Sequence, residues 1–380
     1  MDVSAFLITR NHEESLAGAI RSVAGFAAEV LVIDTGSTDW TVAIATELGA
    51  KVLPFHWQDD FAAACNEAIA RARGEWLLWM NPDEELEPSG IAALTDAIAR
   101  PTACAWQLGV RQLRHPDDPA SGTLGYQPRL FRRDPAIRFH GRLHPEFDPP
   151  LEDIAARRGQ SIGTVHANIR RHAYLSRPTP DKMRWVVRLL EKELEDRPGQ
   201  LGYLIELGRN LLWLNDPHGH AVLARAANDL QARTTDPSPP TPWIGSLIEY
   251  LLTVSPEQSL SPLGRAEARL LAECWFPTTP PVLWAVASER FAAGAYAESA
   301  ALLERLLQLG RTADYDDPGG FDPDIIGAAA EINYGLCCLH LERWEEAKLS
   351  FSRVVDHPAR REAALRGFRL AELKRKPQRQ

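Results

Sequence analysis

The sequence predicts a two-part molecule: an α/β N-terminal domain built on a mostly parallel sheet, followed by an all-α C-terminal domain of helical repeats. Over the first hundred residues short apolar runs alternate with amphipathic segments, the pattern of strands joined by crossover helices. From about Arg177 the texture changes to long helical patterns broken by prolines. The length of 380 residues exceeds what one core organises, and 45% apolar residues supply two.

Within the first part the predicted strands are Val3 to Ile8, Val30 to Ile33, Val52 to Phe55 and Trp76 to Met80. Each is short and almost wholly apolar, as a strand covered on both faces must be. Between the first two, Leu16, Ala19, Ile20 and Val23 repeat with the spacing of one helical face. In an open α/β sheet, ligands collect beyond the carboxyl ends of the strands. Three polar clusters stand there: Thr9-Arg10-Asn11-His12-Glu13, Asp34-Thr35-Gly36-Ser37-Thr38-Asp39 and Asn81-Pro82-Asp83-Glu84. All should fall on one edge of the sheet. Ser37, Thr38 and Asp39 are also good N-caps for the helix that follows.

In the second part Ala287, Tyr296, Ser299, Leu303 and Leu306 are spaced like Gly335, Trp344, Ala347, Phe351 and Val354. This resembles the tetratricopeptide repeat, a helix-turn-helix unit of about 34 residues. A weaker third unit surrounds Gly208 and Ala221, residues 312–324 read as an insertion, and the proline-rich stretch from Asp236 to Pro242 reads as an exposed connection.

Composition narrows the function. A net charge of -9 argues against a nucleic-acid partner, and the basic Lys374-Arg375-Lys376 is expected to fray. Cys65, Cys104, Cys274, Cys337 and Cys338 lack metal or disulfide spacing, which suits a reducing compartment and not thiol catalysis. With no leader pattern and no membrane-length apolar run, a cytoplasmic protein is expected. Neither a Gly-x-Gly-x-x-Gly fingerprint nor a Gly-x-x-x-x-Gly-Lys loop follows any predicted strand. Phosphate would then be held through a divalent cation on a strand-end carboxylate, for which Asp83, flanked by Glu84 and Glu85, has the right place.

Three strings, Ile33-Asp34-Thr35-Gly36-Ser37-Thr38-Asp39-Trp40-Thr41, Asp60-Phe61-Ala62-Ala63-Ala64-Cys65-Asn66 and Gly74-Glu75-Trp76-Leu77-Leu78-Trp79-Met80-Asn81-Pro82-Asp83-Glu84-Glu85-Leu86, resemble the family 2 glycosyltransferases in order and spacing. The resemblance covers roughly the first 175 residues. It implies a GT-A-type, Rossmann-like nucleotide-sugar domain over 1–175, a helical connector over 176–196, and tetratricopeptide-like repeats over 197–380. Thr9, Asn11, Glu13, Asp34, Asn66 and Asn81 would then line the nucleotide-sugar pocket, while Asp83 would ligate Mg or Mn bridging the diphosphate. The implied donor is a UDP-sugar, the acceptor a hydroxyl of a glycan, lipid or protein, and the repeats could hold a protein partner. The stretch His172-Ala173-Tyr174 and the run from Asp181 to Leu194 resemble the connector found in some family members.

Arg129-Leu130-Phe131-Arg132-Arg133 and Arg138-Phe139-His140-Gly141-Arg142-Leu143-His144-Pro145-Glu146 resemble the family's acceptor-side segment. Glu146 is the first candidate for the base that deprotonates the acceptor, His144 the second, and Glu152 or Asp153 stand behind them, because a carboxylate is a base near neutral pH without special tuning. The chain departs from the family at Asn81, where Asp is usual, at Cys65, where Arg is common, and at Pro145, which separates His144 from Glu146. The expected reaction is metal-dependent inverting transfer of a sugar. The competing reading is an inactive glycosyltransferase-like scaffold. A nucleotidyltransferase lacks its Gly-rich, Lys-containing phosphate loop, and zinc at His140, His144 and Glu146, or at His166 and His172, lacks Cys partners and a His-Glu-x-x-His helix.

Overall fold

In the computed structural model, which describes residues 2–113, 123–172, 179–233, 242–255, 257–261, 263–312, 314–316 and 321–375, the chain divides into two compact units, Met1–Pro198 and Gly199–Gln380. Asp236–Thr241 of the expected connection, Ala173 and Tyr174, Ala313 with residues 317–320 of the expected insertion, and Lys376 lie outside the described residues.

The first unit runs β1 (Val3–Thr9), α1 (Leu16–Val23), β2 (Glu29–Asp34), α2 (Thr41–Glu47), β3 (Lys51–Pro54), α3 (Phe61–Arg71), β4 (Trp76–Met80), β5 (Glu84–Leu86), α4 (Ile91–Ile98), β6 (Ala103–Gln112), β7 (Thr123–Arg132), β8 (Arg138–His140), β9 (Glu146–Asp148), α5 (Leu151–Arg158), β10 (Ser161–Arg171) and α6 (Pro180–Asp196). Eight strands form one sheet in the order β3-β2-β1-β4-β7-β6-β10-β5, and β8 pairs with β9 in a separate hairpin. Among the described residues four sheet pairings are parallel and three antiparallel. The four predicted strands are all present and parallel, and the antiparallel pairings come from β7 and β5.

Alternation along the strands builds a core on each face. Val3, Ala5, Leu7, Trp76, Leu78 and Met80 pack under Leu16, Ala19, Ile20 and Val23 of α1, the same four residues whose spacing predicted that helix. Phe6, Leu31, Ile33 and Leu77 face α3 through Ala64, Cys65 and Ala68. Burying a side chain of this size stabilises by about 1.5–3 kcal/mol. Gly74 lets the chain enter β4 beside β1, since a Cβ there would stand 2.6 Å from the Ser4 nitrogen.

The polar run after β4 is more than a solvated turn. Glu84–Leu86 is a strand, antiparallel to β10 at the far edge of the sheet. From Met80 to Glu84 the chain can span at most about 14 Å, whereas four strand steps across a flat sheet would need about 19 Å. The sheet therefore curls, bringing the β10 edge back beside the end of β4.

Helix α6 packs on this unit. Trp185 meets Trp57 and Phe61 with ring centroids 6.2 and 5.9 Å apart. Lys192 Nζ donates to Asp59 Oδ2 at 2.6 Å, Arg188 reaches Asp59 Oδ1 at 3.3 Å, and Glu193 accepts the Arg142 backbone N–H.

The second unit is helical: α7 (Leu201–Trp213), α8 (His218–Arg233), α9 (Pro242–Thr253), α10 (Arg265–Trp275), α11 (Pro280–Ala292), α12 (Tyr296–Thr312), α13 (Ala328–His340), α14 (Trp344–Ser352) and α15 (Arg361–Arg375). The repeated small residues mark close helix crossings. Ser299 Oγ donates to the Ala287 carbonyl at 2.8 Å, and a Cβ on Gly335 would stand 2.7 Å from the Phe351 ring. In the weaker unit Gly208 meets Leu223 and Gly219, whereas Ala221 is exposed. The close crossing in this unit is therefore Gly208 against Gly219, eleven residues apart where the other two units have twelve. Among the described residues no helix is long and apolar enough to cross a membrane.

Candidate active site

The strand order reverses at β1, which lies between β2 and β4, so the carboxyl ends of these three strands form the crevice where such sheets take ligands. The loops after β1 and β2 are tied into one framework. Thr35 donates its N–H and hydroxyl to the Thr9 carbonyl at 2.9 and 3.1 Å. Asn11, held in the left-handed region at φ 55°, accepts the Thr38 N–H on Oδ1 at 2.8 Å and donates its own N–H to Ser37 Oγ at 2.9 Å. The Asp34 carboxylate accepts the N–H groups of Gly36 and Ser37 at 3.2 and 3.1 Å, and Gly36 has a φ of 105° that an L side chain rarely adopts.

Glu13 belongs to the same framework. Its Oε2 accepts the Trp40 N–H at 3.0 Å, and Asp39 accepts those of Thr41 and Glu13. The N-cap position of α2 is Trp40. None of Ser37, Thr38 and Asp39 occupies it: Ser37 and Thr38 are engaged with Asn11, while Asp39 still accepts the N–H of Thr41, the first residue of the helix, at 3.0 Å. The Thr9 hydroxyl is enclosed at the end of β1 and has no hydrogen-bond partner among the described residues, an exception in a folded interior.

The three acids after β4 diverge. Glu84 is fully buried and forms a two-pronged pair with Arg129, whose guanidinium lies 5.1 Å from the centre of the Trp79 ring. Asn81 donates both its backbone N–H and its Nδ2 to Glu84, at 2.8 and 2.7 Å. Glu85 pairs with Arg170 at 3.3 Å. Asp83 has Arg171 Nε 3.5 Å away, and its carbonyl accepts the His172 N–H. It is close enough to His12 to raise that imidazole's proton affinity, although burial outweighs this and holds the His12 pKa below its ordinary value.

Asp83 accepts the Arg171 Nε–H on Oδ2, which leaves its Oδ1 as the oxygen that would meet a cation. Among the described residues no three His, Cys, Asp or Glu side chains converge into a ready-made metal cage, so a cation here would draw its other ligands from a bound diphosphate. One carboxylate plus substrate phosphates is a usual arrangement for Mg, and the residues fit it.

Asn66 sits on α3 with both amide atoms committed to Phe139: Nδ2 donates to the carbonyl at 2.9 Å and Oδ1 accepts the N–H at 2.8 Å. It fixes β8 as a neighbouring strand would. Burial pushes the thiols of Cys65, Cys104 and Cys337 up and that of Cys338 up to about 11, which keeps these thiols protonated and poor nucleophiles.

The hairpin β8-β9 places His140 opposite Glu146, with Nε2 and Oε2 3.3 Å apart. Glu146 is 60% exposed. His144 lies in the connecting turn, its carbonyl 2.4 Å from where a Cβ on Gly141 would be, and Gly141 has φ 102°. Beside the hairpin opens a cavity of about 350 Å³ whose polar lining includes Gln107, Gln127, Arg129, Glu146 and Glu152. Two of the four candidate bases, Glu146 and Glu152, line it, while His144 and Asp153 do not. Gln107 and Gln127 escaped the sequence reading. Each lies on a strand whose pairing partner is distant in the chain, and the polar interruptions of β6 and β7 were their only trace.

Residues 4–144 match the family described as Glycosyl transferase family 2, and the first unit carries a domain of that family. A TPR repeat-containing protein from Synechococcus elongatus is 41% identical over 151 residues, covering 39% of this chain and 36% of the relative. An uncharacterized glycosyltransferase from Rickettsia felis is 43% identical over 84 residues, covering 22% of this chain and 29% of the relative. The chain thus spans about a third of the length of these relatives. The crystal structure of S. aureus TarS 1-349 covers 91% of this chain and 92% of its own, with a TM-score of 0.38 and 15% identity.

Proposed function

We propose that the first unit transfers a sugar from a nucleotide-diphosphate sugar, a UDP-sugar, to an acceptor hydroxyl with inversion, with help from Mg or Mn. The observation that carries this reading is the framework at the ends of β1, β2 and β4, where Asp34, Asn11 and Glu13 fix the loops and Asp83 stands close enough to act on His12 after β1. Thr9, Asn11 and Asp34 would bind the nucleotide. Asp83 would hold the cation, which when bound neutralises the charge of the leaving diphosphate.

Glu146 would take the acceptor proton, with His140 orienting its carboxylate, and the cavity would hold the acceptor oxygen in line with the anomeric carbon. Asn66 and Asn81 act through what they hold: Asn66 through β8 and Asn81 through Glu84. The second unit would present its helical surface to a protein partner, and free cysteines suit a cytoplasmic setting.

The test is sugar transfer, or donor hydrolysis, by the full chain with UDP-sugars in Mn, in Mg and in chelator. Metal-dependent turnover lost in Asp83→Ala is the expected result. Full metal-dependent turnover by that variant would remove the assignment of Asp83.

A further inference from the structure

We infer that the 350 Å³ cavity beside the β8-β9 hairpin is built for an uncharged, hydroxyl-rich acceptor, a sugar ring, and disfavours a phosphorylated one. The inference rests on the transferase reading only in calling this ligand an acceptor. The lining chemistry stands by itself.

Among the lining residues Arg129 is the one cation, and its charge is matched by the fully buried Glu84 at 2.8 Å. Its Nε–H is also taken, by Gln127 Oε1 at 3.1 Å. Little of the guanidinium remains for an anion. Glu146 and Glu152 add negative charge to the lining, and Glu152 has no hydrogen bond or ion pair among the described residues. A phosphate entering here would meet two carboxylates and no free cation, a like-charge juxtaposition that costs several kilocalories.

The same wall suits hydroxyls, which donate and accept together. The amide nitrogens of Gln107 and Gln127 have no protein partner among the described residues and can donate. The carboxylates of Glu146 and Glu152 can accept. The apolar remainder, Trp79, Phe147, Leu151 and Ile162 with three prolines, offers the surface that the C–H face of a sugar requires. The volume lies in the range of small-molecule sites.

Saturation-transfer NMR on the full chain, without donor, tests this with methyl glucoside and maltose against glucose 6-phosphate. The neutral sugars are expected to bind about tenfold or more tightly than the phosphate ester. Binding should weaken in Gln107→Ala, and Glu152→Arg, a change at an exposed helix position, should reverse the preference. Equal or tighter binding of the phosphate by the unaltered protein overturns the inference, as does the absence of any saccharide signal.

Melting with UDP and Mn is read separately. Saccharide binding without nucleotide stabilisation would leave the cavity's chemistry standing and remove the transferase reading. Nucleotide stabilisation without saccharide binding would do the reverse.

Discussion

Glu84 and Arg129 are joined by two parallel hydrogen bonds, Nη2 to Oε1 at 2.8 Å and Nη1 to Oε2 at 3.1 Å, with side chains 0% and 4% exposed respectively. The pair stands between the two halves of the candidate site. Its carboxylate holds Asn81 at the strand-end crevice, and its guanidinium forms part of the wall of the cavity beside the β8-β9 hairpin.

Removing one partner of such a pair leaves an uncompensated buried charge. Arg129→Ala is expected to destabilise the first unit by about 3–5 kcal/mol, read from denaturant unfolding. A loss below about 1 kcal/mol, the scale of an exposed pair, would mean that water reaches Glu84.

Asn81 stands where the family usually has Asp, and its contacts explain why. Its Nδ2 donates to Glu84 Oε1 at 2.7 Å, so Asn81→Asp would set an acceptor against an acceptor and two negative charges side by side. The variant should lose about 1–3 kcal/mol of stability and gain no metal affinity, measured by unfolding and by Mn titration. A more stable variant that binds Mn more tightly would mark Asn81 as decay of the site.

Glu146→Gln keeps the size of the side chain and removes the base. Transfer should slow by about two to four orders of magnitude with the nucleotide affinity unchanged. If Glu152→Gln produced that loss and Glu146→Gln did not, the base would be Glu152.

Asp59 makes acid stability of the first unit readable. The hydrogen bond from Lys192, with help from Trp57 and Arg188, holds its carboxyl below the usual range. A depressed folded pKa contributes stability that is complete above the unfolded value and is lost as pH falls through the folded one. Unfolding midpoints should therefore fall through and below pH ~4, and Asp59→Asn should flatten that limb while lowering stability at neutral pH. An unchanged acid limb would show that the Lys192 contact contributes nothing.

Much of this architecture was legible in the residues because it is written in local periodicity. Leu16, Ala19, Ile20 and Val23 announced α1, and the first four strands showed as apolar runs. The strand-end clusters also met where a parallel sheet must place them. What stayed hidden depends on contacts far apart in the chain. The pairing of Glu84 with Arg129, the hold of Asn66 on Phe139, and the curl that returns β5 to the end of β4 leave no local signal. Polar residues at 81–85 looked alike in sequence, and only packing separated the buried Glu84 from Asp83.

The most direct measurement is thermal unfolding of the full chain and of Asp83→Ala against UDP and UDP-sugars, with Mn, with Mg and with chelator. A nucleotide at 100 times its dissociation constant should stabilise the native state by about 2.7 kcal/mol. A uridine nucleotide with metal is expected to raise the midpoint, and the rise is expected to be lost in chelator and in Asp83→Ala. No shift with any nucleotide, or the same metal-dependent shift in the variant, would contradict it.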